Sequence, residues 1–126
     1  LCYEADNLCV YVGDFFALNA KTLGQVDYIY DRAALIALPE PMRREYAAKL
    51  MDSCPQAKML LITLDYPQAQ MSGPPFAVSE QEVLAHYQAG FNTTTLKQKE
   101  ILEYEPRFKQ RGLTSLIESI FWLERI

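Results

Sequence analysis

Cysteine, histidine, net positive charge and long apolar runs are all scarce in this chain, and each shortage closes off a class of chemistry. The three cysteines, Cys2, Cys9 and Cys54, are odd in number, widely spaced and form no C-x-x-C pair. That spacing supports neither a disulfide framework nor a zinc site, and it fits a reducing cytoplasm. No metal is expected. The single histidine, His86, falls mid-helix near the polar side of its pattern and is assigned no catalytic role. With 12 Lys and Arg against 16 Asp and Glu, the net charge is −4, and the basic residues are scattered. The electrostatic footprint of a nucleic-acid binder is therefore missing. No apolar stretch approaches the roughly 20 residues of a bilayer span, and no secretory signal pattern is seen, so a soluble protein is expected.

The residues present suit one domain spanning 1–126. Half of them are hydrophobic, enough for a core, and 22% are charged. The acidity of the chain and its single core point to a monomer. The chain opens "LCYEADNLCVYVGD" without a methionine and enters a strand-like run at once, so an upstream part is expected.

Strand and helix patterns alternate along the chain. "NLCVYV" (7–12) and "VDYIY" (26–30) are β-rich runs bounded by Gly13-Asp14 and by Gly24. Pro41 suits a first helical position, and Met42, Tyr46 and Leu50 then share one face of a helix that closes before Pro55. "KMLLITLDY" (58–66) is apolar on both faces, the pattern of a central parallel strand covered on each side. Ser79 and Glu82 form an S-x-x-E capping box for a helix ending near Gly90, with Val83, Leu84 and Tyr87 inward. Two β-rich runs follow, "FNTTTLKQKEIL" and "LTSLIESIFWLERI", separated by the polar segment 103–112; they are expected to pair at one edge, with Trp122 in the core.

This order predicts an α/β fold with a mostly parallel, doubly wound sheet. Ligands of such sheets bind at the carboxyl ends of the strands. Gly13-Asp14-Phe15-Phe16, Asp31-Arg32 and Asp65-Tyr66 each follow a strand, which predicts three polar-aromatic clusters on one rim. Taken alone, Asp14 caps a turn or meets a ligand, and Phe15 is core or ring cover. Asp31 reads equally well as an N-cap for a helix over 32–38.

"GDFFAL", "VDYIYDRAALIALP", "LLITLDY" and "SGPPFAVSEQEV", in this order and spacing, resemble the thiopurine S-methyltransferase family, its bacterial members above all. The resemblance covers essentially the whole chain but only the C-terminal portion of the family's domain. Its N-terminal aromatic segment, its glycine-rich loop and the acidic residue for the ribose have no counterpart here. The resemblance implies a Rossmann-like class I methyltransferase that moves the methyl group of S-adenosylmethionine to the sulfur of aromatic or heterocyclic thiols. Selenium and tellurium compounds are further acceptors linked to bacterial relatives. By the same resemblance, Asp14 and Phe15 meet the adenine end of the cofactor, and Arg32 lies at the active-site rim near cofactor and substrate, as both the catalytic group and a cofactor-binding residue. Pro74 and Pro75 wall the substrate cleft, and Arg107 reaches the substrate side.

Each assignment has a plainer counterpart. Gly73-Pro74-Pro75-Phe76 also serves as a loop stiffener, and Arg107 with Lys109 and Arg111 also makes an ordinary basic surface turn. Two alternatives to thiol methylation remain: a methyltransferase with another small-molecule acceptor, and a catalytically incomplete chain. Without its first strands, the chain is expected to leave an edge of the run Met59 to Leu64 open.

Overall fold

Alternation along one strand separates the two sides of the molecule. In a computed structural model describing all 126 residues, Met59, Leu61 and Thr63 are fully buried, whereas Leu60, Ile62 and Leu64 between them are half-buried. The elements in chain order are β1 (Cys2–Ala5), β2 (Leu8–Tyr11), α1 (Ala20–Leu23), β3 (Tyr28–Asp31) and α2 (Glu40–Ser53). They continue with β4 (Lys58–Asp65), α3 (Glu80–Tyr87), β5 (Phe91–Glu100), α4 (Pro106–Gln110) and β6 (Ile117–Arg125).

The α/β class is as expected, but the sheet is mixed. Its order is β3-β4-β6-β5, and only β3 and β4 pair in parallel; β6 runs antiparallel to both neighbours. The connections explain the difference. β3 and β4 are joined through α2, the crossover a parallel pair requires, whereas the link from β5 to β6, which carries α4, brings the chain back at the same end of the sheet, as an antiparallel pair needs. Its return is fixed by Glu100. Oε1 accepts from the Ser115 hydroxyl at 2.6 Å, and Oε2 accepts from the backbone N–H of Leu116 at 2.7 Å and of Leu102 at 3.2 Å. The Ser115 bond and these N–H donors hold the Glu100 carboxyl below its ordinary range.

α2 and α3 pack on one face of this sheet, around Tyr46, Leu50, Val83, Tyr87, Met59, Leu61, Phe121 and Leu123. The two long helices α2 and α3 share this face, while Phe108 of the short α4 packs in a second cluster with Leu64. Tyr28 and Tyr30 stand on the opposite face, and Trp122 is half-buried there rather than in the core, its indole N–H donating to Glu124 at 2.8 Å. The paired tail strands are not both at the edge, since β6 lies inside and β5 outside. β4 has strand neighbours on both sides over Met59–Leu61, where the open sheet edge belongs to β3, while Ile62 to Leu64 pair only with β6.

The first β-rich run is a strand, but it pairs with Cys2–Ala5 in a separate antiparallel hairpin whose strand residues are all exposed. The Gly13–Phe16 cluster therefore does not follow a strand of the main sheet, and the three clusters do not share one rim. In α2 the buried stripe is Arg43, Tyr46, Ala47 and Leu50, with Met42 outside. Arg43 can be buried because its charge is matched: Nε and Nη2 donate to Glu82 at 2.6 and 3.1 Å, and Nη1 donates to the Leu38 carbonyl at 2.8 Å.

Glu82 also draws His86 inward. His86 Nε2 lies 2.8 Å from its carboxylate, and the His86 side chain is 5% exposed rather than on the polar side. Ser79 caps α3 by accepting from the Glu82 N–H at 3.1 Å, Val83 and Tyr87 point inward as expected, and Leu84 is exposed. No helix of the chain is long and apolar enough to cross a membrane.

Candidate functional site

The end of β3 places two adjacent charges in opposite surroundings. Asp31 is buried: Oδ1 accepts from the N–H groups of Ala34 and Leu35 at 3.2 and 3.4 Å, and Oδ2 accepts from the Tyr46 hydroxyl at 2.8 Å. Burial and the Asp31 carboxylate push the Tyr46 phenol well above its ordinary value, which keeps it a donor. The geometry thus displays Asp31 holding the local backbone after β3. No helix forms over 32–38; a single 3-10 turn, Leu35–Ala37, follows with Ala34 as its N-cap and no side-chain cap, so Asp31 is not its N-cap residue. Leu38 precedes Pro39, which disfavours continued helical backbone there.

Arg32, next along the chain, is exposed and makes no hydrogen bond or ion pair with the rest of the chain. It lines a cavity of about 440 Å³ together with Ala33, Ile36 and Ala37 from the turn, and Ile62 and Leu64 from β4. Pro74 and Pro75 form another part of its wall, and Ile101, Glu105, Phe108 and Glu118 complete it. Three of the expected residues, Arg32, Pro74 and Pro75, are therefore brought together.

The proline wall is held from several directions. Both X-Pro bonds, Gly73-Pro74 and Pro74-Pro75, are cis. Gly73 adopts φ +81°, and a Cβ there would lie 2.7 Å from the Phe76 ring. The Tyr66 hydroxyl donates to the Pro75 carbonyl at 2.6 Å, and the Phe76 N–H donates to the Ile36 carbonyl at 2.7 Å. The Phe76 ring in turn lies 5.8 Å from the Arg43 guanidinium.

Asp14 and Phe15 line a different hollow of about 280 Å³ with Tyr11, Val12, Gly13, Leu18 and Thr22 among its walls. Asp14 Oδ1 accepts from the Phe16 N–H at 3.0 Å and so caps the 3-10 turn Phe15–Ala17, while the other carboxylate oxygen has no partner in the chain. Phe15 packs on Tyr46 with ring centroids 5.0 Å apart. Both plain readings, turn cap and core contact, hold for these two residues, and both also face the hollow. A third hollow, of about 270 Å³ and wholly apolar, lies between them and the cavity. It shares Phe15 with the first hollow and Ala37 with the Arg32 cavity.

Arg107 is exposed on α4 and does not line the cavity; Glu105 and Phe108 of the same segment do. Glu105 and Glu118 were not expected from sequence. Glu118 had a usable signal, since it interrupts the apolar run "SLIESIFWL" as Asp31-Arg32 interrupts theirs. Asp65, at the end of β4, is half-buried, and loss of solvent raises its carboxyl above the ordinary range, with the Glu82 charge adding to the effect.

Comparison with known proteins identifies the family. Residues 2–126 match the family described as thiopurine S-methyltransferase. Proteins named thiopurine S-methyltransferase from Nitrosospira multiformis, Bordetella pertussis and Pseudomonas aeruginosa are 49%, 46% and 44% identical to the chain. These alignments cover 96–98% of the chain and 56–57% of each relative, so the chain spans little more than half the length of the relatives it matches. The chain belongs to the thiopurine S-methyltransferase family.

Proposed function

We propose that the protein carrying this chain is an S-adenosylmethionine-dependent methyltransferase of Rossmann-like fold, acting on the sulfur of aromatic and heterocyclic thiols, thiopurines among them. The reading rests on family membership, S-adenosylmethionine being the family's methyl donor. One observation carries it furthest: an arginine without a partner in the chain shares a cavity with a proline wall, apolar side chains and two carboxylates, Glu105 and Glu118. A thiolate is already a strong nucleophile, so the site has mainly to align it and exclude water.

The Arg32 guanidinium stabilises a bound thiolate or holds a ring acceptor, and Pro74 and Pro75 bound a flat ring. Glu105 and Glu118, on the same cavity, accept from ring N–H groups, which favours a heterocycle over a plain benzene thiol. Arg107 is proposed as a second, outer arginine on the substrate side. The cofactor supplies the methyl group as a sulfonium. Asp14 and Phe15 fit its adenine end: a free carboxylate oxygen accepts from the amino group, and an aromatic side chain packs against the base. The same site accommodates selenium or tellurium nucleophiles. We place the protein in the cytoplasm as a monomer.

Acceptor profiling of the intact protein and its Arg32→Ala variant tests this reading. Loss of a charged hydrogen bond worth about 1.5–3 kcal/mol should slow thiol methylation by about one to two decades, with the melting curve unchanged. Normal turnover in a normally folded variant places Arg32 outside the site. Absence of S-adenosylmethionine binding by calorimetry overturns the function itself.

A further inference from the structure

Cys2 and Glu4 alternate onto one face of β1, and Cys9 stands directly opposite Glu4 in the register of the hairpin. A two-residue turn, Asp6-Asn7, thus folds two cysteines seven positions apart back onto each other. The two sulfurs and a Glu4 carboxylate oxygen all lie within 4.8 Å of one another, and all three residues are exposed. Cys54, the remaining thiol, is buried and belongs to no such group.

Two thiols and a carboxylate are the donors of a soft cation. A tetrahedral ion with metal–sulfur bonds of about 2.3 Å needs its two sulfurs roughly 3.8 Å apart. Small side-chain rotations close the remaining gap, and exposure leaves a fourth position to water. Thiolates select thiophilic d10 ions and discriminate against magnesium and calcium, which require oxygen ligands. We propose that Cys2, Cys9 and Glu4 form a chelate for one thiophilic divalent cation, zinc or cadmium, on the face of the β1–β2 hairpin.

The site is independent of the methyl-transfer cavity. Its structural consequence is local: a two-stranded hairpin with no buried residue is marginal by itself, and a cation tying β1 to β2 clips it shut. The clip lies immediately before Gly13 and the Asp14-Phe15 pair.

The test is a cadmium titration of the intact protein under a non-thiol reductant, read by the thiolate-to-cadmium charge-transfer absorption, with hydrogen exchange of the hairpin amides as a second readout. One cation should bind through Cys2 and Cys9, and amide protection in residues 2–11 should rise. Cys2→Ser and Cys9→Ser should each abolish that binding, Glu4→Gln should weaken it about tenfold or more, and Cys54→Ser should leave it unchanged. Serine is close in size to cysteine and both positions are exposed, so circular dichroism should show the fold retained. If either serine variant instead disturbs the hairpin, Glu4→Gln, which keeps both thiols, decides by the same readouts. Cadmium absorption that survives both serine substitutions overturns the proposal. So does a pair that forms a disulfide in air, two hydrogens lighter by mass, yet takes up no cadmium when reduced.

Discussion

Replacing Arg43 by methionine should be among the most damaging single changes in the chain, although Arg43 touches no cavity wall directly through its charge. The side chain is 6% exposed and its partner Glu82 22% exposed. The substitution keeps most of the aliphatic stem but removes both bonds to Glu82 and the bond to the Leu38 carbonyl. Breaking a buried ion pair from one side costs about 3–5 kcal/mol, because the other charge stays behind. Glu82 keeps His86 at 2.8 Å and some solvent, so the lower end, about 3 kcal/mol, is expected. Against a total stability of about 5–15 kcal/mol this is a large fraction, and it corresponds to a drop in Tm of about 10 °C. Thermal and urea unfolding of the intact protein measure it. The double variant Arg43→Met with Glu82→Gln removes the stranded charge and should recover about half of the loss. A single variant that loses less than about 1 kcal/mol, or a double variant no more stable than the single, would refute the buried-charge argument.

Three further perturbations act through other contacts. The raised Asp65 carboxyl means that the unfolded chain gives up its proton first as pH rises. Its penalty is therefore absent below the ordinary aspartate value of 3.8 and complete at neutral pH, and Asp65→Asn should raise Tm at pH 7 but not in acid. Glu100 has the opposite sign: its lowered value gives stability that is present above the ordinary glutamate value of 4.5 and lost as pH falls through the folded value. Glu100→Gln should lower Tm at pH 7 and flatten the acid limb, which a pH series of melts reads directly. Gly73→Ala forces a side chain into φ +81° and toward the Phe76 ring, so it should cost about 1–2 kcal/mol and raise KM for thiols; an unchanged KM would show that the wall does not depend on this turn.

Features set by neighbours in sequence were readable from it. The Ser79 cap, the inward Val83 and Tyr87, and the Pro74-Pro75 loop each depend on spacing over a few residues, and each is present. Features set by distant pairing were not. Nothing in "LTSLIESIFWLERI" states that the strand enters between β4 and β5, because both neighbours lie far away in the chain. Arg43 could not be placed on the buried face from sequence for a related reason: a charged residue counts against a buried face unless its partner is known, and Glu82 is 39 positions away. The hairpin was missed because β1 is short and wholly exposed, so it carries no burial pattern to detect. Without that hairpin the seven-residue separation of Cys2 and Cys9 matched no ligand motif.

The charges at the end of β3 show how one local rule produces two roles. Alternation along the strand sends Asp31 toward α2, where two backbone N–H groups and the Tyr46 hydroxyl satisfy it. A buried carboxylate with three donors is costly to move, so it fixes the backbone from which the next residue departs. Arg32 then projects from an anchored position without spending its guanidinium on any group in the chain. An arginine held by its backbone and unpaired at its head is available to a ligand, and its five donors lose no existing partner on binding. The apolar run therefore breaks at this joint for two linked reasons: the acid secures the turn, and the arginine is what the turn presents to the cavity shared with Pro74 and Pro75.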